Sequence, residues 1–256
     1  MLRFASLGSG SEGNALVVEV GNTRLMLDCG FGIAETETRL ARLSLEPADI
    51  AAIIVTHEHG DHIGGVARFA QKYRIPVHLT YGTLASQRDG FLDAGLVHEI
   101  DSHTPFAIGD VEIFPFPVPH DAREPAQFLF GDGAVRLGVL TDVGTTTPHI
   151  ESMLSGLEGL VLETNHDLEQ LRRGRYPPSL KERISGPFGH LDNATSAGIL
   201  GRLDRSRLQH LVAAHLSAQN NSPSQARAAL APVMGCDPDW IQCADQEKGV
   251  GWLSLI

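Results

Sequence analysis

The sequence predicts a layered α/β fold in which two sheets are covered by helices. Three observations lead there. Strand-like runs alternate with helical stretches in both halves of the 256 residues. No low-complexity linker separates those halves, so 1–256 reads as one domain built from two similar parts. A composition of 42% hydrophobic and 20% charged residues belongs to a globular chain with an ample core, not to a disordered one.

The elements follow in order. Leu2–Leu7, Ala15–Val20 and Thr23–Leu27 read as strands, with Gly21-Asn22 as a tight hairpin signal between the last two. A helical stretch around Glu35–Leu43 precedes a buried strand, Ala51–Val55. The spacing from His62 to about Lys72 is helical, and Pro76–Leu79 is a further short strand. Between about 96 and 141 the runs Val111–Phe116, Gln127–Phe130 and Val135–Leu140 are strand-like, broken by Pro, Gly and Asp. Leu160–Leu162 and Leu208–Ala214 are strands of the second half, and Ser179–Ile184, Asn193–Leu203 and Ser224–Leu230 are helical. Val250–Leu255 is the last strand.

Charge and cysteine usage narrow the function classes. A net charge of −11 excludes a protein that coats nucleic acid by bulk electrostatics, but leaves room for a local phosphate cleft. No apolar run approaches the ~18–20 residues of a membrane span, so no membrane partner is expected. The N-terminus lacks a signal-peptide pattern. Cys29, Cys236 and Cys243 are odd in number and widely scattered, which fits a reducing cytoplasm and no disulfide framework. The 12 histidines are the remaining oddity.

They cluster. Thr56-His57-Glu58-His59-Gly60-Asp61-His62 directly follows the strand Ala51–Val55. Three imidazoles and a carboxylate so close together are poor core material and good ligands for divalent cations. In an extended exit from a strand His57 and His59 point the same way, and Gly60 lets the chain fold so that Asp61 and His62 aim at a neighbouring ion. Three later strands deliver ligand-type side chains near their ends: His120-Asp121, Asp142 and His215. The glycine-rich start Gly8–Asn14 lacks the Lys-Ser/Thr of a phosphate loop and leads into a strand. It reads as a tight turn beside the metal site, with Ser11 or Asn14 helping to orient it.

At these residues the sequence resembles the metallo-β-lactamase fold superfamily, whose HxHxDH motif is met by His57-Glu58-His59-Gly60-Asp61-His62. The resemblance implies a four-layer αββα sandwich with two divalent metal ions, zinc or manganese, at one rim. It implies that His57, His59 and His120 hold one ion, that Asp61, His62 and His215 hold the other, and that Asp142 bridges both. Asp28-Cys29-Gly30 resembles the family's second strand end, where the Asp supports the ligand loop.

Three further stretches resemble the YycJ/WalJ-like branch: Ser6–Asn14, Leu162-Glu163-Thr164-Asn165-His166-Asp167, and Tyr176–Ile184 with Gly189-His190-Leu191-Asp192-Asn193. Members of that branch are cytoplasmic double-stranded DNA 5′-exonucleases, related to tRNA-processing phosphodiesterases. One departure is Asp192, where the branch more usually has Ser. The resemblance implies a phosphodiesterase using a metal-bridging hydroxide on nucleic acid, DNA above all. It gives Asp61 a place in the catalytic centre and makes Glu163-His190 the pair that protonates the leaving oxygen, with His166 as the second choice of acid. A small cyclic phosphodiester, a thioester or a lactam are alternative substrates on the same fold, and a non-catalytic metal-bound regulator is the reading from another class.

One basic run stands against the acidic background. Arg172, Arg173, Arg175, Lys181 and Arg183 face only Glu169 and Glu182 between residues 169 and 185. A solvated helical face and a phosphate-tracking wall are both open readings, with Tyr176 available to stack on a terminal base. His78, His98, His103, His149 and His210 have no such context, and His210 reads as structural.

Overall fold

The computed structural model describes residues 1–256. The first half runs β1 (Leu2–Gly8), β2 (Ala15–Val20), β3 (Thr23–Leu27), α1 (Ile33–Arg42), β4 (Ala52–Ile54), α2 (Gly60–Ile63), α3 (Val66–Tyr73), β5 (Val77–Thr80), α4 (Tyr81–Ala85) and β6 (Val97–Ile100). The second runs β7 (Phe106–Ile108), β8 (Val111–Pro117), β9 (Ala126–Gly131), β10 (Arg136–Leu140), α5 (Pro148–Leu154), β11 (Gly159–Glu163), α6 (Leu168–Arg173), α7 (Pro178–Ile184), α8 (Asn193–Arg202), β12 (His210–Ala214), α9 (Pro223–Met234), β13 (Gln242–Cys243) and β14 (Val250–Leu255). Two seven-stranded sheets form, in the orders β14-β1-β2-β3-β4-β5-β6 and β13-β12-β11-β10-β9-β8-β7.

Side-chain alternation along the strands separates the layers. In β2, Leu16, Val18 and Val20 enter the core between the sheets, while Ala15 and Val17 pack under α1 and α3. In β12, Val212 and Ala214 face the same inter-sheet core, and Leu211 and Ala213 pack against α8 and α9. Each sheet is therefore buried on both faces, which gives the predicted αββα order. In each sheet a run of parallel strands places its carboxyl ends together: β3 to β6 in one, β10 to β13 in the other. Those ends are the natural place for a site.

Three local readings change. The helix expected from His62 to Lys72 is two helices, α2 and α3, broken at Gly64-Gly65. A Cβ on Gly65 would lie 1.8 Å from the Phe31 carbonyl oxygen, so the chain needs glycine there to approach the Cys29–Phe31 segment. The helix expected to stop at Leu230 runs on through Pro232 to Met234, because the proline sits in the last turn, just before Gly235 ends the helix at φ 64°. The short helices α4 and α5 and the edge strands β6 and β7 had no separate sequence signal.

Candidate metal centre

The loop after β4 is held from below by Asp28, at the end of β3. Asp28 Oδ1 accepts from the Thr56 backbone N–H at 2.8 Å, and Oδ2 lies 2.8 Å from His62 Nδ1. That contact directs His62 Nε2 towards the centre. His59 is the N-cap of α2, so Asp61 and His62 emerge from the first helical turn while His57 and His59 remain on the extended exit. The sequence reading of one loop aiming at two places has this geometry behind it.

Seven side chains converge. The donor atoms of His57, His59 and His120 lie within 4.8 Å of one another, and so do those of Asp61, His62 and His215 and those of His57, His62 and Asp142. Asp142 stands between the sets, with Oδ2 3.1 Å from His62 Nε2 and Oδ1 3.5 Å from His215 Nε2 and 3.9 Å from His120 Nε2. Imidazole rings crowd to centroid distances of 4.3 to 4.9 Å around His57. Burial pushes the His57 pKa well down, so its ring is neutral and able to ligate. His57 Nε2 is buried without a hydrogen-bond partner, and Asp142 Oδ2, although 3.1 Å from His62 Nε2, is not aligned for a hydrogen bond with it. Such orphans are costly in a folded core unless something else meets them. A nitrogen-rich donor set with converging, unsatisfied lone pairs fits divalent cations, and this is the fit that the fold implies.

Beside this cluster Glu163, at the end of β11 and 0% exposed, organises two imidazoles. Its Oε1 lies 2.8 Å from His190 Nδ1 and 3.4 Å from His215 Nδ1. Its Oε2 accepts from the Val143 and Leu191 amides, each at 3.1 Å. Burial opposes its ionisation, but His190 and His215 hold its pKa down at about 2. Burial likewise opposes the charge on His190, yet Glu163 and Asp142 raise its pKa. For His215, Asp142, Asp61 and Glu163 overcome burial and raise the pKa to about 10. The ring of His190 is partly open to solvent, with 19% of its side chain exposed.

Other predicted residues divide. Asn14 is in place: its Nδ2 lies 3.3 Å from Asp61 Oδ2 and 3.1 Å from His62 Nε2. Ser11 is not; it is exposed in the turn and makes no side-chain hydrogen bond. Its neighbour Ser9 takes that place, accepting the His215 amide at 2.9 Å and standing 3.1 Å from Asn14 Oδ1. Nothing in the serine-rich turn distinguishes these two serines before the chain is folded. His166 is buried outside the ligand cluster, with Nδ1 3.2 Å from Asn165 Oδ1, and it is His190 that bonds Glu163.

The basic run does not form one continuous wall. Arg172 and Lys181 line a cavity beside His190. Arg173 instead pairs with Glu169 at 2.9 Å, and Arg183 pairs with Asp121 at 2.5 Å. Arg175 has no acidic partner, and Tyr176 is half-buried with no side-chain hydrogen bond. Asp121, noted in sequence only as the neighbour of His120, sits 3.4 Å from His120 Nε2 at the rim. Asp192 caps α8, accepting from the Ala194 and Thr195 amides. His210 bonds the Ser254 carbonyl and is structural. The three cysteines are unpaired, and no helix is long and apolar enough to cross a membrane.

Comparison with known proteins agrees with this architecture. Residues 23–215 match the family model described as a beta-lactamase superfamily domain. Exodeoxyribonuclease YycJ of Bacillus anthracis is 33% identical over 98% of this chain and 91% of its own length. Exodeoxyribonuclease WalJ of Streptococcus pneumoniae is 31% identical over 97% of this chain and 91% of its own. Among solved structures, the metallo-β-lactamase fold protein YhfI from Bacillus subtilis superposes with a TM-score of 0.76 over 98% of both chains at 13% identity. With two helix-covered sheets, the HxHxDH loop on the rim and near full-length relatives, the chain belongs to the beta-lactamase superfamily, in the YycJ/WalJ-like branch of the metallo-β-lactamase fold.

Proposed function

We propose that this protein is a metal-dependent phosphodiesterase that cuts nucleic acid from an end, as an exodeoxyribonuclease, with DNA as its substrate. The observation that carries the reading is the Glu163-His190 pair set against the seven-residue ligand cluster. A thioester's thiolate leaves without such an acid, whereas a departing sugar alkoxide is a poor leaving group that benefits from one. The two related exodeoxyribonucleases support the choice of substrate class.

His57, His59 and His120 would hold one divalent ion and Asp61, His62 and His215 a second, with Asp142 shared; the imidazole-rich set suits zinc, and its carboxylates also admit manganese. When bound, such ions polarise phosphate oxygens and acidify water. The chain's own residues do the rest. Glu163 fixes the His190 ring through Nδ1 and keeps it protonated, so that Nε2 hands a proton to the leaving oxygen. Asp61, held ionised by His215 and His62 against the opposing effect of burial, completes its ligand set and orients the attacking water. Asp28 and Asn14 keep the ligand loop in register from beneath. Residues 1–256 are read as one catalytic domain working in the cytoplasm, where three unpaired cysteines are at home.

The test is elemental analysis of the purified protein, followed by digestion of 5′- and 3′-end-labelled single- and double-stranded DNA and RNA. Release of mononucleotides from labelled DNA ends is expected. Failure of the metal-loaded protein to cut any of the four would overturn the reading in favour of a small phosphodiester.

A further inference from the structure

Against the outer side of His190 lies a cavity of about 280 Å³, lined among others by His166, Arg172, Lys181 and Asp192. It shares His190 with the metal centre and so lies on the side to which a leaving group would depart. Two features inside it are unexplained by packing. Arg172 and Lys181 have no carboxylate within ion-pair distance, unlike Arg173 and Arg183, and the Lys181 ammonium donates only to the Arg172 carbonyl at 2.7 Å. His166 is 1% exposed, and its Nε2 has no hydrogen-bond partner.

The neighbours of His166 decide what that nitrogen can do. Asn165 Nδ2 donates to the His215 carbonyl at 2.8 Å, which fixes the orientation of the amide. Asn165 Oδ1 is therefore an acceptor, and it takes the proton of His166 Nδ1 at 3.2 Å. Nε2 of the neutral ring is then a buried lone pair on the wall of a cavity with two cations that have no carboxylate partner. Asp192 turns most of its acceptor capacity to the helix it caps. Its Oδ1 accepts from the Ala194 and Thr195 amides at 2.9 and 3.1 Å, and its Oδ2 accepts from the Thr195 hydroxyl at 2.6 Å.

The geometry points to a binding site for the terminal phosphate monoester of a nucleic-acid strand, on the leaving-group side of the scissile bond. Arg172 and Lys181 supply the charge. A monoester, with a second pKa of about 6, brings a proton that one of its oxygens can share with His166 Nε2. A diester in mid-strand carries no such proton and would set lone pair against lone pair. The assignment rests on the nuclease reading for the identity of the strand, but not for the chemistry of the cavity. A site of this kind makes a phosphorylated end the preferred substrate.

Two measurements test it on the full chain. Fluorescence anisotropy of the metal-free protein compares short DNA strands ending in 5′-phosphate, 5′-hydroxyl, 3′-phosphate and 3′-hydroxyl. Cleavage by the metal-loaded protein compares the same ends in duplexes, with a covalently closed circle as the substrate that has no end. One terminal phosphate is expected to tighten binding and raise kcat/KM about tenfold, as charge-assisted contacts do. In the surface double variant Arg172→Ala/Lys181→Ala the ratio of phosphate to hydroxyl ends is expected to fall to about one. Equal handling of both ends by the unaltered protein overturns the inference. So does an end preference that survives in the double variant, or a closed circle cut as fast as a linear duplex. Phosphate-dependent binding without any cleavage would sustain this site while removing the nuclease reading, and cleavage without end preference would do the reverse.

Discussion

Replacing Glu163 by Gln removes one buried charge without changing the shape of the side chain. In the native arrangement Oε1 serves His190 and His215, and Oε2 serves two backbone amides. A Gln amide has one acceptor and one donor end, so its NH₂ must face either two imidazole donors or two N–H groups. The catalytic loss follows from the His190 contact. A charge-assisted hydrogen bond at 2.8 Å contributes about 2–3 kcal/mol, which corresponds to a roughly 30- to 160-fold fall in kcat. That loss belongs only to reactions whose leaving group needs the proton. Steady-state kinetics on an end-labelled DNA strand and on a p-nitrophenyl phosphodiester separate the cases, because p-nitrophenolate departs without help. The expected result is the full loss on DNA and less than about fivefold on the activated ester. Equal losses on both substrates would refute a proton-donor role and leave Glu163 as a support for His215 alone. No loss on either would refute the pair altogether.

Four further outcomes are expected. Asp61→Ala or His59→Ala should abolish turnover and lower bound metal while far-UV circular dichroism stays native; undiminished nuclease activity in metal-loaded Asp61→Ala would sink the centre. Asp28→Asn should weaken metal affinity about 10- to 100-fold in a chelator competition, since its amide would turn a donor towards His62 Nδ1; unchanged affinity contradicts that role. Glu19 is gripped by Arg3 and Arg24, each at 2.5 Å, and although burial opposes its charge these two partners lower its pKa. Its stabilisation is therefore complete above the ordinary value of 4.5 and fades as pH falls through the lower folded value. Glu19→Gln should cost about 1 kcal/mol in urea unfolding at pH 7 and progressively less in acid; a difference that stays constant with pH would refute that linkage. Burial pushes the Cys29 thiol up to about 11, so native iodoacetamide labelling at neutral pH should spare it, which intact-mass spectrometry reads directly.

How much of this was legible in sequence depends on what each signal measures. The cluster of candidate ligands was legible because His57-Glu58-His59-Gly60-Asp61-His62 is local, and because His120, Asp142 and His215 each follow a buried apolar run. The layers were legible because alternation in strands such as β2 and β12 splits side chains between two cores. Contacts that depend on two distant segments were not. Ser9 and Ser11 are equivalent in the chain until folding brings the amide of His215 to one of them. The basic run looked uniform because sequence counts charges, whereas its members differ in their partners: Glu169 and Asp121 neutralise two of them and leave Arg172, Arg175 and Lys181 without a carboxylate.

Backbone conformation at the strand ends was equally hidden, and it bears on how the centre is built. Five non-glycine residues have positive φ, and Ser44 and Arg74 are ordinary chain reversals after α1 and α3. The other three are Asp28 at 60°, Asp142 at 53° and His215 at 54°, each just beyond a strand that feeds the site. Asp and His are among the residues that tolerate this region, so their types raise no alarm in a sequence. Left-handed residues of this kind cost on the order of 1–3 kcal/mol each, and they persist only where surrounding contacts hold them. Here those contacts are visible: Thr56 and His62 on Asp28, His62 and His215 about Asp142, Ser9 and Asn165 on His215. A left-handed residue breaks the pleat, so the chain turns away while the functional side chain stays at the mouth of the sheet. Substitutions that probe these positions must therefore keep the backbone as well as remove the charge. Asn does both at Asp28, whereas Val would add a β-branched clash to the lost ligand support and confuse a folding defect with a loss of metal affinity.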